Sequence, residues 1–270
     1  MEPTFTLAPA QAQRRSELWL ALALLAFLIA ATTPYMWLIE HFGYDDILRD
    51  PTPQILLRFH AGGSALILAW LGFALSAFTF VAVALGFKKM LAMHGAHDAG
   101  ATPIGIASAV AQTIGLLRWV LVVPGLAAAF ADPASSASSR DAIVVVFDAV
   151  HHFGGMVLGE MAGQLLLMVW TGMTAWQMFR LRLLPRWISV AGLLTLPFWL
   201  LGQTELIHEV VPLVPSIEVI PLAFMAWQAW LAAIAVTLLH RVWRDRRTLR
   251  LPATCSDTQH VCPHSPGQMQ

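Results

Sequence analysis

Asp148, His152, Met156, Glu160 and Gln164 fall at every fourth position of one apolar run. On a helix that spacing lays them along a single, slowly drifting stripe. A carboxylate on this stripe facing hydrocarbon would cost several kcal/mol, so the stripe must face protein or a water-filled cavity. Beside it His151, Gly155, Gly159 and Gly163 make a second stripe, whose three glycines let another backbone approach closely. Outside this run, Arg118, Gln203 and Glu205 lie in or at the edge of other apolar stretches. A cation, carboxylates and amides converging in an apolar setting can hold a small polar or ionic ligand. The candidate ligand-binding residues are Arg118, Glu160, Gln164, Gln203 and Glu205, with proton coupling through Glu160 as an option. The same groups can do something plainer: Arg118 against Glu160, flanked by amides, is also a buried clamp that fixes helix register in an accessory or sensor subunit.

A second set is rich in nitrogen and oxygen donors. His60, Asp148, His151, His152 and His208, with Glu205 and Glu209 nearby, could ligate zinc, copper or iron, or hold a haem between two histidines, which would make the chain a membrane-embedded enzyme. The spacing matches no metal signature; there is no HExxH and no paired CxxC. Adjacent His151 and His152 also point about 100° apart on a helix, so one of them at most faces a given centre. Cys255, His260, Cys262 and His264 cluster near the C-terminus at spacings that fit no standard zinc site. Phosphate-binding loops and nucleophile elbows are missing from the sequence. The cofactor, if any, is left undefined.

The elements that must position these groups follow from composition. Of 270 residues 57% are hydrophobic and 12% charged, about half the charged fraction of a soluble domain, and mean hydropathy is +0.65. Sixteen basic residues cancel sixteen acidic ones, so no positive field exists to recruit nucleic acid. The two cysteines lie in the last sixteen residues and cannot staple a fold. Six runs are long and apolar enough to cross a bilayer: Leu18 to Leu38, Ala61 to Phe87, Pro103 to Phe130, Ile143 to Phe179, Trp187 to Thr204 and Val219 to Leu239. The expected fold is an all-α polytopic bundle of six transmembrane helices over residues 16–248, between a tail at 1–15 and a disordered tail at 249–270. The first run exceeds a signal-peptide core in length, which favours a retained helix. Ser16 is expected to cap it and Pro34 to close it, with a kink at Pro124 in the third.

Twelve of the sixteen Lys and Arg flank one side if the N-terminus is inside, which places both termini in the cytoplasm. Measured from the inner boundaries, Arg118 lies about 22 Å up, and Glu160 and Gln203 about 24 Å. Three spans thus set a cation, an anion and an amide at one level in the outer third of the bilayer, with the fourth span expected as the central helix. The abundant Met and Trp read as packing, with Trp37, Trp176 and Trp187 as interface anchors. The glycine seam could equally serve a dimer, so an oligomer is possible.

At GLLRWVLVVP, HHFGGMVLGEMAGQLL, LPRW and LLGQTEL the chain resembles a group of bacterial six-helix integral membrane proteins classed as a domain of unknown function. The likeness covers roughly residues 100–240. It implies a multi-pass protein of the bacterial inner membrane, supplies no reaction, and is closest around Arg118, Trp119, Glu160, Gln164, Gln203 and Glu205.

Overall fold

The computed structural model describes residues 7–44, 46–208 and 210–248. Glu209 and the Cys255, His260, Cys262 and His264 cluster lie outside the described residues. Among them the regular elements are all helices: α1 (Leu7–Phe42), a short 3-10 helix (Asp46–Arg49), α2 (Thr52–Met93), α3 (Ala101–Leu121), α4 (Val123–Ala131), α5 (Ala137–Val150), a π-helical segment (His151–Ala162), α6 (Gly163–Leu181), α7 (Arg186–His208) and α8 (Ile220–Thr248). Six stretches are long and apolar enough to span a membrane: Gln11–Phe42, Thr52–Met93, Ala101–Ala131, Ala137–Leu181, Arg186–His208 and Ile220–Arg244.

The helices overrun the apolar runs that announce them. α1 begins well before Ser16, whose side chain is buried inside the helix instead of capping it, and Pro34 sits within α1 without ending it. Pro124 does interrupt the third span: α3 stops at Leu121 and α4 restarts with the proline in its first turn, where its missing N–H is not needed. Asp98 anchors the start of α3, its carboxylate accepting from the backbone N–H of Gly100 and Thr102, each at 3.2 Å.

Packing follows chain order. α1 lies on α2, α2 on α3, α3 on α6 and the π segment, α6 on α7, α7 on α8, and α8 back on α1. The six spans therefore close into a ring. That arrangement overturns the expectation of a central fourth span: its most apolar stretch is 22% buried, against 28–39% for the other five. Among the described residues each span packs chiefly on its two neighbours in this ring.

Two apolar clusters fill the ring at different levels. One gathers Phe27, Phe80, Trp170, Trp227 and Trp230 toward the chain termini. Here Trp227 Nε1 donates to Thr171 Oγ1 at 2.9 Å and Trp230 Nε1 to the Ile188 carbonyl at 2.8 Å, which removes the penalty of burying two indole N–H groups. The other gathers Phe42, Phe59, Trp70, Trp119 and Phe147, with Trp70 and Trp119 stacked at 4.8 Å. The polar groups of interest lie between these two clusters.

Candidate functional site

Arg118, near the C-terminal end of α3, is 7% exposed. Its Nη1 donates to the carbonyl of Gly115, one turn earlier, at 2.6 Å. Its Nε is buried and has no partner. The guanidinium fits because the π segment offers glycine where it passes: a Cβ at Gly155 would stand 2.6 Å from Arg118 Cζ and 3.0 Å from Nη1. One turn on, Gly159 and Gly115 bring the two backbones together, and a Cβ at Gly115 would meet Gly159 Cα at 2.7 Å and the Gly154 carbonyl at 2.8 Å. The glycine seam thus serves an internal crossing between α3 and the π segment.

Arg118 lines a cavity of about 90 Å³. Every span contributes to its wall: Tyr35 from α1, Phe73 from α2, Gln112 and Arg118 from α3, Glu160 and Gln164 from the π segment and the start of α6, Trp199 from α7, and Phe224 from α8. The cavity lies inside the ring. A second cavity, also about 90 Å³, shares Tyr44, Glu160, Gln164, Ile220 and Pro221 with the first, and adds Arg49, His151 and Glu205. The two adjoin at Glu160 and Gln164, and the second reaches the 3-10 helix between α1 and α2. There Arg49 Nε and Nη2 both donate to Glu205 Oε1, at 3.2 and 2.5 Å, and Nη2 lies 3.7 Å from Glu218. Burial alone would lower the Arg49 pKa, yet the hydrogen bond and charge of Glu205, with Glu218 and Asp46, outweigh it and hold the group above its ordinary value.

Four of the five candidate ligand residues line one or both of these adjoining cavities. Arg118, Glu160 and Gln164 line the inner cavity. Gln203 stands just behind, its Nε2 donating to Gln164 Oε1 at 2.7 Å, and Glu205 lines the outer cavity. The charge of Glu160 acts on Arg118, and both residues line the inner cavity. The guanidinium also bonds to the Gly115 carbonyl. Glu160, on the π segment, lines both cavities.

The candidate metal ligands take other partners. Asp148 accepts from Thr52 Oγ1 at 2.6 Å, His152 donates Nδ1–H to the Asp148 carbonyl at 2.6 Å, and His208 donates to the Val214 carbonyl at 2.7 Å. His151 stacks on Phe147 at 5.5 Å, and His60 is exposed. Among the described residues no three His, Cys, Asp or Glu side chains gather as a metal would require. Sequence reasoning missed the rings of the inner cavity, Tyr35, Tyr44, Phe73, Trp199 and Phe224, and the role of Arg49. Aromatic residues in an apolar helix carry no mark that separates a cavity wall from ordinary core.

A family model described as "Domain of unknown function (DUF4386)" matches residues 20–237. No curated protein and no solved structure matches the chain.

Proposed function

We propose, for a chain that belongs to the DUF4386 family, that this multi-pass membrane protein binds a small polar or ionic solute inside its ring of helices and passes it across the bilayer. The observation that carries this reading is Arg118: a buried cation with an unpartnered Nε, set in the wall of a cavity that all six spans enclose. A buried guanidinium asks for acceptors, and the space beside it, about 90 Å³, takes roughly six to nine waters or one small solute at 10–15 Å³ per water position. Glu160 and Gln164 line both that space and the outer cavity, and on this reading a solute passes between them to Arg118 once the Arg49–Glu205 contact opens. On this reading the Arg49 end faces outward, both termini are cytoplasmic, and the membrane is the bacterial inner membrane.

The test is access. Gln164→Cys is made in a background lacking Cys255 and Cys262, and the protein is reconstituted into vesicles. A membrane-impermeant thiol reagent should label it from the Arg49 side, more slowly than an exposed control cysteine. If Gln164→Cys stays unlabelled from either side while the control reacts, the cavity is sealed and the proposal fails.

A further inference from the structure

Where the ring closes, α1 and α8 leave a groove of about 460 Å³, lined by Leu18 from α1 and by Val236, Leu239, His240, Val242 and Trp243 from α8. Positions 236, 239, 240 and 243 follow the i, i+3, i+4, i+7 pattern of one helix face, on which Val236 is 61% and Trp243 49% exposed. That face covers about 10 Å of helix axis. It lies toward the chain termini, at the ends of the spans Gln11–Phe42 and Ile220–Arg244, the level at which a spanning helix meets lipid headgroups.

One turn nearer the termini the same two faces become basic. Arg14 lies four positions before Leu18 and Arg244 four beyond His240, so each continues the groove-lining face of its own helix. Arg15 and Arg241 stand beside them. Among the described residues none of these four guanidinium groups has a carboxylate within salt-bridge reach. Glu17, three positions from Arg14, is buried and accepts from Gln13 at 3.2 Å. At the other end of the same helices the sign reverses, with Glu40 near the end of α1 and Glu218 just ahead of α8. The seam is thus an apolar slot capped by arginines at one end only.

That combination fits a lipid whose headgroup is anionic. Guanidinium groups take a phosphate through paired N–H donors, and basic pockets between spanning helices suit such headgroups. A choline headgroup would set a second cation among the arginines. A partner helix laid in the seam would need the slot to run the depth of the bilayer, whereas its α8 face extends about 10 Å before it meets charge. We infer that the α1–α8 seam binds one anionic phospholipid, its phosphate held by Arg14 and Arg244 and one acyl chain laid in the groove between Leu18 and Trp243.

The full chain, purified in a non-ionic detergent, is titrated with phosphatidylglycerol, phosphatidylcholine or inorganic phosphate and followed by native mass spectrometry and thermal unfolding. One phosphatidylglycerol should stay bound and raise the unfolding midpoint, because a ligand bridging α1 and α8 binds only the closed ring. Phosphatidylcholine should be retained about tenfold less, and inorganic phosphate should leave the midpoint unmoved. Replacing Arg14→Gln and Arg244→Gln together should lower retention of phosphatidylglycerol about tenfold. Val236→Trp, at an exposed position, should do the same by filling the slot. Lys88→Gln with Lys89→Gln removes two charges near the end of α2 on the same side, where Gly86 meets Trp19 and Leu20, and should leave retention unchanged. On the unmodified protein, phosphatidylglycerol with a photoreactive acyl chain should crosslink to residue 18 or to residues 236–243, a readout that needs no variant to fold. Equal retention of phosphatidylcholine, or a midpoint raised as far by inorganic phosphate, overturns the lipid headgroup. Retention that survives Val236→Trp, an equal loss in the lysine variant, or crosslinks confined to other helices overturns the place. No lipid retained, with or without a second copy or another chain in the spectrum, overturns the site altogether.

Discussion

Three glycine-to-alanine replacements separate the two jobs that glycine does around Arg118. At Gly155 the added Cβ stands 2.6 Å from Arg118 Cζ, where relaxed carbon contacts need about 3.5–4.0 Å. The guanidinium must therefore withdraw by about 1 Å, and its 2.6 Å bond to the Gly115 carbonyl does not survive that movement with good geometry. A hydrogen bond to a charged group is worth about 1.5–3 kcal/mol, and relief of glycine's backbone entropy returns at most about 1 kcal/mol. Gly155→Ala should thus cost on the order of 1–2 kcal/mol. At Gly115 the obstruction is backbone, Gly159 Cα at 2.7 Å and Gly154 O at 2.8 Å, so no rotamer change relieves it and α3 must part from the π segment. Overpacking of that kind costs about 1–3 kcal/mol, with the lost interhelical contacts in addition. At Gly125 nothing lies within 4 Å, and alanine should be neutral or stabilising by up to about 1 kcal/mol. Thermal unfolding in detergent, followed by tryptophan fluorescence, should rank the variants Gly125→Ala, Gly155→Ala, Gly115→Ala from most to least stable. Solute binding should be lost in Gly155→Ala beyond its stability cost, because the displaced group is Arg118 itself. A Gly115→Ala protein as stable as Gly125→Ala would refute the close crossing, and unchanged solute binding in Gly155→Ala would refute the placement of Arg118.

Arg49→Gln should quicken thiol labelling of Gln164→Cys several-fold by removing the contact to Glu205, with little change in stability, since a partly exposed pair is worth about 0.2–1 kcal/mol. Raising salt toward 1 M should quicken the unmodified gate and narrow that difference. The Asp98 pKa is held below its ordinary 3.8, first by its side-chain hydrogen bond with Thr102, then by the N–H groups of Gly100 and Thr102 and the charge of Lys88, against the effect of burial. A carboxylate with a lowered pKa stabilises the fold above its unfolded pKa, and that contribution is lost as pH falls through the folded value. Thermal stability should therefore decline below about pH 4, by less in Asp98→Asn, whose loss of about 1 kcal/mol is already present at neutral pH. Trp119→Ala removes a fully buried ring that stacks on Trp70 and Phe59, and should cost about 3–5 kcal/mol by denaturation in mixed micelles.

The six spans are legible from composition because a bilayer imposes a minimum length on any apolar helix, and each of the six runs overlaps one of the six candidate spans. Their ends are less so: Ser16 and Pro34 carry local cap and break signals that neighbouring apolar packing overrides, and α1 runs through both. Arg118, Glu160 and Gln164 stand out in sequence because ionisable and amide groups are costly in apolar surroundings. The closure of the ring was hidden, since it depends on α8 returning to α1 across the whole chain. So was the Arg49–Glu205 contact, whose partners are 156 positions apart. The π segment has only its glycines as a forerunner, and glycine spacing reports close approach without reporting helix pitch.

The choice between a register clamp and a binding site turns on what Arg118 leaves undone. A clamp engages both charges directly, and deleting one partner of such a buried pair costs about 3–5 kcal/mol because the other is stranded. Here the guanidinium gives Nη1 to a carbonyl of its own helix and leaves Nε without a partner, while the charge of Glu160 acts on it. Glu160 is partly exposed and lines cavities that reach the Arg49 end, so water continues to solvate it when Arg118 is removed. Arg118→Met fills part of the same volume with an apolar chain and removes an expensive buried cation. In the absence of solute the variant should therefore unfold at the same temperature as the parent or somewhat above it, the pattern of a residue kept for binding at the expense of stability. A loss of 3–5 kcal/mol in that single variant would show the charges clamped together, and the cavity beside them would then be an incidental void.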